Sequence, residues 1–295
     1  MQRVVVFGGS GQLGSEIRRL WDDVDIVAPT SREVDLEDAA AVAAVIECNA
    51  PDTVVNCAAY HHVDRCEEIP ERPFAVNAAA VERLAQQCAR RDVTFVTYST
   101  DYVFDGGLGR AYTEADVPNP QSVYGVSKLA GEQLVLRLKS RAFVIRTCGV
   151  YGVRASTSKG YTFIDRILTQ ARSGERSRVV RDMFVTPSYA VHLATATRDL
   201  IRTTRYGLYH MVNEGPVSWY DFALEAVRQS GLNATIEPIS YAAWPSAVRR
   251  PAYSALENAR LHALGIRLPC WQSGVRAYLE DRNAAREKTP PIARA

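Results

Sequence analysis

Near its beginning the chain reads Arg3-Val4-Val5-Val6-Phe7-Gly8-Gly9-Ser10-Gly11-Gln12-Leu13-Gly14. The β-branched residues that open this segment predict a buried parallel strand. The glycines that follow let the backbone approach a phosphate group closely, and the helix predicted from there through Leu20 offers it unpaired N–H groups. The spacing fits G-x-x-G-x-x-G starting at Gly8 and equally G-x-G-x-x-G starting at Gly9. Directly after a first strand, either form predicts a dinucleotide-binding turn.

Strand and helix patterns alternate outward from this turn. We predict further strands at residues 25–28, 52–59, 93–100 and 142–147, and helices at residues 38–48, 74–91, 124–136, 163–171, 189–203 and 219–231. Such alternation is typical of an α/β fold with a Rossmann-like, doubly wound parallel sheet. The predicted organisation is an NAD(P)-binding domain over 1–150 that segments such as 188–205 rejoin, a smaller substrate-binding domain mainly over 151–285, and a flexible tail over 286–295. The polar residues 153–160 predict either a mobile lid or a plain surface loop.

The composition is that of an ordinary globular protein. Its 295 residues are 47% hydrophobic and carry a formal net charge of +2, so neither a nucleic acid nor a membrane is favoured as a partner. No apolar run reaches the roughly 18 residues of a membrane helix, and the first residues show no signal-peptide pattern. The six cysteines form no C-x-x-C pair, which favours free thiols in a reducing cytoplasm over disulfides or a metal site. A homodimer is a possible assembly for a chain of this composition.

The segment Tyr124-Gly125-Val126-Ser127-Lys128 has the pattern of a proton-transfer site. Residues four apart share one face of a helix, so the ammonium group of Lys128 can act on the phenol of Tyr124. A free tyrosine has a pKa of about 10, and a nearby positive charge lowers that pKa by favouring the phenolate. Tyr124 is therefore a candidate general acid or base. The preceding predicted strand ends in Ser99 and Thr100, at the sheet edge where ligands bind.

The residues after the second predicted strand indicate which cofactor the glycine turn takes. An acidic residue at that strand end holds the ribose hydroxyls and prefers NAD, but here the chain reads Pro29-Thr30-Ser31-Arg32. Hydroxyl groups and a guanidinium suit a 2′-phosphate, which favours NADP, with NADPH preferred and NADH as the other candidate. The alternative is that Glu33 or Asp35 holds the ribose.

Motifs along nearly the whole chain match one family. The most specific block is Ser99-Thr100-Asp101-Tyr102-Val103-Phe104-Asp105-Gly106. The glycine turn and the Tyr124 helix with Gly131-Glu132 also match. The remaining motifs, in chain order, are Asn56-Cys57-Ala58-Ala59-Tyr60 with Val63-Asp64 and Glu67; Asn77; Arg146-Thr147 with Val150-Tyr151-Gly152; Asp182 with Pro187; and Arg250-Pro251 with Ser254. With these motifs the chain resembles the extended short-chain dehydrogenases/reductases and, within them, the NAD(P)H-dependent dTDP-4-dehydrorhamnose reductases.

The resemblance implies a reductase of a nucleotide-linked 4-keto-6-deoxyhexose and assigns roles to single residues. Thr100 and Tyr124 would hydrogen-bond the ketone oxygen, and Tyr124 would donate the proton as hydride arrives. Lys128 would hold the nicotinamide ribose and lower the pKa of Tyr124. Cofactor contacts are expected at Gly8, Gly11, Gln12, Leu13, Gly14, Arg32, Asp35, Leu36, Ala58, Ala59, Tyr60 and Asn77. Substrate contacts are expected at Thr100, Asp101, Tyr102, Gly149, Asp182 and Arg250.

Two departures from the family pattern lie where the sugar-nucleotide should bind. Family members often carry a tryptophan where this chain has Gly149, and Asp-Gln-x-Gly where it has Asp182-Met183-Phe184-Val185. The matched residues therefore indicate the type of reaction, whereas the sugar is left open, with a rhamnose precursor as the leading interpretation.

Three other functions were weighed against reduction. A dehydratase of the same superfamily is disfavoured because Asp101-Tyr102 follows Thr100, without the second carboxylate that eliminates water. An epimerase of this superfamily needs only the tyrosine and the lysine with tightly held NAD. The residues after the second predicted strand favour NADP instead, which counts against an epimerase. The chain also resembles the regulatory β subunit of methionine adenosyltransferase, a non-catalytic NADP-binding protein.

Overall fold

The structure, a computed structural model, describes residues 2–154, 160–244 and 248–287. Its strands are β1 (Arg3–Phe7), β2 (Asp25–Val27), β3 (Thr53–Asn56), β4 (Thr94–Thr100), β5 (Ala142–Thr147), β6 (Ser177–Val180), β7 (Phe184–Val185), β8 (Gly207–His210), β9 (Val217–Ser218) and β10 (Ile236–Ile239). Its α-helices are α1 (Gln12–Leu20), α2 (Ala39–Asn49), α3 (Val63–Glu68), α4 (Glu71–Phe74), α5 (Val81–Arg90), α6 (Val123–Leu136), α7 (Phe163–Ser173), α8 (Ala190–Arg202), α9 (Trp219–Gln229), α10 (Ala259–Ala263) and α11 (Trp271–Glu287). A π-helical turn, Ala75–Ala80, joins α4 to α5, and 3₁₀ turns lie at Asp101–Val103 and Tyr241–Ala243.

Six parallel strands form the central sheet in the order β2-β1-β3-β4-β5-β8. Successive side chains of a strand point to opposite faces of the sheet. Because the residues of β1 form an unbroken apolar run, helices must pack on both faces to bury them. Val4 and Val6 pack in the layer of α1 and α8, whereas Val5 and Phe7 pack in the layer of α2 and α5. The predicted Rossmann-like, doubly wound sheet is therefore confirmed.

The strand order reverses between β1 and β3, and this reversal positions the site. The chain passes from β1 to β2 on one side and then returns to β3 on the other side, with Phe7 in register with Asn56. In open parallel sheets a crevice forms outside the carboxyl ends of the strands at such a switch point. The glycine turn after β1 and the small residues after β3 meet at this crevice.

The predicted helix over 74–91 differs in detail, because the structure splits it into α4, the π-helical turn and α5. A π turn inserts one extra residue into a helix and re-aims a side chain, and such turns are frequent at functional sites. Here Asn77 turns toward the loop after β3 and toward α6. The helices touch closely at this point, since a Cβ on Gly131 would lie 2.2 Å from the carbonyl oxygen of Asn77.

The chain after Gly152 contributes both to the central sheet and to a second cluster of helices. The indole N–H of Trp21 donates to the carbonyl oxygen of Ala194 at 3.0 Å, which fastens α8 to the end of α1. The sequence analysis did not predict β8, which pairs with β5 and extends the sheet. α7, α9 and α11 pack around Phe222 and Tyr278 beside the pairs β6–β10 and β7–β9. The division into two domains stays a prediction.

The last helix extends into the predicted tail. α11 runs through Glu287, and its outer turns are held because Tyr278 and Arg282 bond the Asp165 carboxylate at 2.5 and 3.0 Å. Residues 288–295 of the predicted tail and 155–159 of the predicted lid lie outside the described residues. Within the described part of the chain, no helix has both the length and the apolar character needed to cross a bilayer.

Candidate active site

A cleft of about 1140 Å³ opens at the carboxyl ends of β1, β3, β4 and β5. The predicted site residues that line it are Gly8, Gly11, Gln12, Leu13, Ala58, Ala59, Thr100, Asp101, Tyr102, Tyr124, Lys128, Gly149 and Arg250. The predicted residues that do not line it are Gly14, Arg32, Asp35, Leu36, Tyr60, Asn77 and Asp182. Thirteen predicted residues scattered over 243 positions of sequence, from Gly8 to Arg250, therefore converge on one cavity.

The glycine turn forms a cradle that has no room for side chains. Gly8 has a φ of +76°, and a Cβ there would lie 2.6 Å from the backbone nitrogen of Ala58. A Cβ on Gly14 would lie 2.3 Å from the carbonyl oxygen of Gly8, so Gly14 serves the turn by close packing rather than by touching a ligand. No side chain caps the first turn of α1, which begins directly after Gly11. Its N–H groups are therefore suited to hold a pyrophosphate.

Thr100, Tyr124 and Lys128 meet at the base of the cleft. The Ser122 hydroxyl caps α6 by accepting from the N–H of Gly125 at 3.2 Å, which places Tyr124 in the first helical turn. The Tyr124 hydroxyl lies close enough to the Thr100 hydroxyl for Thr100 to act against the rise in the pKa of Tyr124. Lys128 follows one turn later, is 5% exposed, and donates to the carbonyl oxygen of Tyr98 at 2.6 Å. The three predicted catalytic side chains thus share one wall of the cleft.

The pKa of Tyr124 is raised, contrary to the expectation that Lys128 lowers it. Burial raises the pKa, and the hydrogen bond from Thr100 acts in the opposite direction without reversing the shift. Burial also lowers the pKa of Lys128, to about 8. The physical reason is that desolvation penalises the charged form of both groups. A neutral phenol retains its proton, so this environment suits Tyr124 as a proton donor rather than as a base.

Asp101 lies behind Thr100 in a buried cluster of hydroxyl groups. Its carboxylate accepts hydrogen bonds from Thr100 at 3.0 Å and from Ser254 at 2.6 Å. Burial raises the pKa of Asp101, and the bond from Ser254 opposes that rise. Asp101 touches the cleft as predicted, and these bonds show that it also orients the Thr100 hydroxyl.

Arg250 connects the two sides of the cleft. Its Nη2 donates to Oδ1 of Asp64 at 3.0 Å, and its positive charge lowers the pKa of the Tyr102 hydroxyl against the rise caused by burial. Asp182, in contrast, lies on the outer side of the neighbouring loop, where its carboxylate accepts from the Ser240 hydroxyl at 2.6 Å and from the N–H of Tyr241 at 2.7 Å. The structure therefore brings Arg250 into the cleft and leaves Asp182 holding a turn.

Asn77 and Tyr60 act behind the cleft lining. The side-chain oxygen of Asn77 accepts from the N–H of Tyr60 at 2.8 Å, and its nitrogen donates to the carbonyl oxygen of Tyr60 at 2.9 Å and to the Ser127 hydroxyl at 3.0 Å. These bonds join the loop after β3 to the helix that carries Tyr124. Asn77 thereby positions two segments that line the cleft, and its contact with the cofactor stays a prediction.

In the loop after β2, the guanidinium of Arg32 forms no ion pair with a described residue. Glu33 is occupied within its own turn, because its carboxylate accepts from the N–H and hydroxyl of Thr30 at 2.7 and 2.9 Å. Asp35 caps the N–H of Glu37 at 3.0 Å, and Leu36 packs into the core. Arg32 is exposed next to the lining residue Ser31 and forms no ion pair with any described residue. The turn therefore favours a phosphate at Arg32 over a ribose at Glu33.

The sequence analysis missed two arginines on the far side of the cleft. Arg166 of α7 lies 5.7 Å over the ring of Phe163, and its buried Nε has no hydrogen-bond partner among the described residues. Arg178 of β6 is exposed and also lines the cleft. Neither forms an ion pair with a described residue. No motif marked them, since the folding of α7 beside β6 alone brings them to the cavity.

Trp219 occupies the space beside Gly149. Gly149 has a φ of +52°, and a Cβ there would lie 3.2 Å from Cη2 of Trp219 and 3.2 Å from Cα of Pro187. The indole is held in place by the ring of Phe163, 4.7 Å away between centroids. A bulky side chain at position 149 would therefore collide with Trp219, which gives a physical reason for the glycine.

The fold and this site define a dinucleotide-binding protein of the extended short-chain dehydrogenase/reductase class. The family model described as "RmlD substrate binding domain" matches residues 1–284. The spore coat polysaccharide biosynthesis protein SpsK of Bacillus subtilis is 33% identical over 287 residues, covering 97% of this chain and 99% of SpsK. The dTDP-4-dehydrorhamnose reductase of Aggregatibacter actinomycetemcomitans is 33% identical over 299 residues, covering 95% of this chain and all of that protein.

A solved structure agrees with these relatives. The crystal structure of the Bacillus anthracis dTDP-4-dehydrorhamnose reductase in complex with NADP has a TM-score of 0.90 at 30% identity, and the match covers 95% of this chain and 100% of that one. The chain belongs to the RmlD family. The resemblance drawn from its motifs is thereby confirmed.

Proposed function

We propose that this chain is an NADPH-dependent oxidoreductase that reduces a nucleotide-linked 4-keto-6-deoxyhexose, with dTDP-4-dehydrorhamnose as substrate and dTDP-rhamnose as product. The observation that carries the proposal is the pair of neighbouring hydroxyls, Thr100 and Tyr124, which line the same cleft as the glycine cradle. A ketone needs such hydroxyls where negative charge develops on its oxygen. Membership of the RmlD family and the NADP complex of a relative support the same reaction.

The residues of the cleft fit the cofactor and divide the work of the reaction. The nicotinamide, when bound, supplies the hydride. Tyr124 holds a proton at its phenol oxygen and donates it to the ketone oxygen. The Thr100 hydroxyl, which donates to Asp101 in this structure, turns toward the bound ketone and donates a second hydrogen bond to its oxygen. Lys128 stabilises the charge that Tyr124 acquires as its proton leaves. Asp101 orients the Thr100 hydroxyl from behind.

Arg32→Ala is expected to weaken NADPH selectively. The unpaired guanidinium is placed to bond the 2′-phosphate, and a charge-assisted bond at an exposed site corresponds to about a tenfold change in affinity. The Michaelis constants for NADPH and NADH would be measured side by side, with NADH as the internal control because it lacks this phosphate. Equal weakening of both cofactors would place the phosphate elsewhere.

We expect Arg178 to donate a charged hydrogen bond to the diphosphate of the sugar-nucleotide. Arg178→Gln removes that bond and should raise the Michaelis constant of the sugar-nucleotide about tenfold. The turnover number and the affinity for NADPH should stay unchanged, because Arg178 lies across the cleft from the glycine cradle. Arg181→Gln is the matched control: this arginine is equally exposed, three residues further on, and does not line the cleft. Similar effects of both substitutions would argue for a general charge effect instead of a diphosphate contact.

The decisive assay follows the absorbance of the reduced nicotinamide. The purified protein is mixed with NADPH, or separately NADH, and the 4-keto-sugar nucleotide made in situ by an epimerase. Rapid oxidation that requires both the sugar and the epimerase is the expected result. An epimerase would consume no net cofactor, and a regulatory subunit would bind NADPH without oxidising it against any keto-sugar. Either of these two results would overturn the proposed reduction.

A further inference from the structure

A buried ion pair lies directly behind the candidate active site. Nη2 of Arg146 on β5 lies 2.6 Å from Oε2 of Glu132 on α6, and Nε of Arg146 lies 3.0 Å from Oε1. Both side chains are 1% exposed, and the guanidinium lies 5.0 Å over the ring of Phe104. The pair thus joins the strand that ends in Thr147 to the helix that carries the catalytic tyrosine and lysine.

Stability alone is a weak explanation for this pair. Removing two charges from water costs several kcal/mol per ion, and well-packed apolar residues of similar volume are often as stable or more stable. The mechanism described above makes no use of either side chain. A charge retained at this cost next to the cleft therefore calls for a functional explanation.

Glu132 stands four residues after Lys128, so the two side chains share a face of α6. Lys128 is buried, and it donates a hydrogen bond to a neutral carbonyl, that of Tyr98. Burial lowers the pKa of Lys128 to about 8, and the negative charge of Glu132 acts against that fall. Among the described residues, Glu132 is the charged side chain that raises the pKa of Lys128.

Two tyrosines, a cysteine and a histidine around Lys128 supply no competing negative charge near neutrality. On α6 and β4, burial raises the pKa of Tyr124 and of Tyr98, so both stay neutral. After β3, burial likewise raises the pKa of Cys57. Asp101, after β4, has a pKa raised by burial. On β8, burial lowers the pKa of His210, beside Arg146, to about 3, so it is uncharged.

We propose that Glu132 is a positioning residue of the reaction, which acts from its ion pair with Arg146 to keep the ammonium group of Lys128 charged one helical turn away. The role of Arg146 is to hold the Glu132 carboxylate ionised inside the fold. The inference rests on the proposed reductase function, because only there does the charge on Lys128 assist proton donation by Tyr124.

The double variant Glu132→Leu/Arg146→Met separates this role from a structural one. It removes both charges together and leaves an apolar pair, which is the replacement that buried ion pairs tolerate best. The chain has four lysines, Lys128, Lys139, Lys159 and Lys288, so selective ¹³Cε-lysine labelling gives few NMR signals to assign. We expect the titration midpoint of Lys128 to fall by about one pH unit in the variant. The high-pH limb of kcat/KM should move down by the same amount.

The sign follows from linkage: without the carboxylate, Lys128 releases its proton at lower pH, so activity is lost earlier as the pH rises. At pH values well below both midpoints, the two proteins should have the same kcat/KM. Glu132→Asp is the control, since it retains the carboxylate, and its midpoint should stay within a few tenths of a unit. Should the double variant fail to fold, Glu132→Gln/Arg146→Gln, which also removes both charges and leaves two amides that can bond each other, must show the same fall.

An unchanged Lys128 midpoint in a folded double variant would overturn the proposal. So would a lowered midpoint with an unmoved activity limb, because the lysine charge would then not govern the reaction. If the wild-type protein oxidises no NADPH with any keto-sugar, the proposed function fails. The NMR titration still decides, in that case, whether Glu132 sets the charge of Lys128.

Discussion

Tyr124→Phe should lower the turnover number about 10²–10⁴-fold while NADPH binding is retained. The substitution removes a hydroxyl and leaves a ring of nearly the same shape, so the cap of α6 at Ser122 and the packing around the ring persist. The substitution removes the proton that Tyr124 presents to the cleft beside Thr100. Turnover would be measured by nicotinamide absorbance and cofactor binding by fluorescence titration.

Tyr102→Phe is the matched control for this substitution. Tyr102 lines the same cleft, and its ring lies edge-on to that of Tyr124 with centroids 5.8 Å apart. The charge of Arg250 acts on its hydroxyl, and Thr100 does not. We therefore expect a modest change in substrate affinity and little change in turnover. Equal losses in the two variants, or full turnover in Tyr124→Phe, would remove Tyr124 from the role of proton donor.

Arg146→Met should lower the free energy of unfolding by about 3–5 kcal/mol, because it leaves Glu132 as an unpaired carboxylate in the core. Both side chains of this pair are 1% exposed, so water cannot replace the lost partner. Urea unfolding followed by circular dichroism measures the change. Two-state behaviour would be checked by comparing the transition with that of tryptophan fluorescence.

Arg228→Met is the matched control, since it breaks an ion pair with Glu225 on the surface of α9, where Arg228 is 71% exposed. That loss should stay below about 1 kcal/mol, because exposed pairs are screened by water and salt. The double variant Glu132→Leu/Arg146→Met should recover most of the stability lost by Arg146→Met. A small loss in Arg146→Met itself would mean that Glu132 is readily neutralised in the fold.

Much of the fold was predictable because its signals are local. The apolar run at Arg3–Phe7 and the glycines after it are consecutive in sequence, and the spacing of Tyr124 and Lys128 is set by one helical turn. β5 was predicted with its observed ends, since its first four residues, Ala142 to Ile145, are an unbroken apolar run. Strand β8 was missed because it is short and only half of it is fully buried.

The site was predictable on one side only. The residues that line the cleft from the glycine cradle to Lys128 follow predicted strands. They were therefore indicated twice, by the family motifs and by their position at the carboxyl ends of the strands, where ligands bind. Arg166, Arg178 and Trp219 belong to segments whose arrangement depends on how α7 and α9 pack against each other. Asp182 carries a family motif, but a local turn at Ser240 uses its carboxylate. A homodimer stays a prediction.

Strands, the phosphate cradle and the tyrosine–lysine pair could be predicted from the sequence because each depends on residues a few positions apart, and the family because its motifs recur along nearly the whole chain. The folded chain was needed to show which charges face one another: Glu132 against Arg146, Asp101 behind Thr100, and two arginines across the cleft that form no ion pair with a described residue. It also decided that burial raises the pKa of Tyr124 where spacing alone predicted a fall. The physical reason is that desolvation and long-range pairing depend on which segments surround a group, and no local pattern encodes those surroundings.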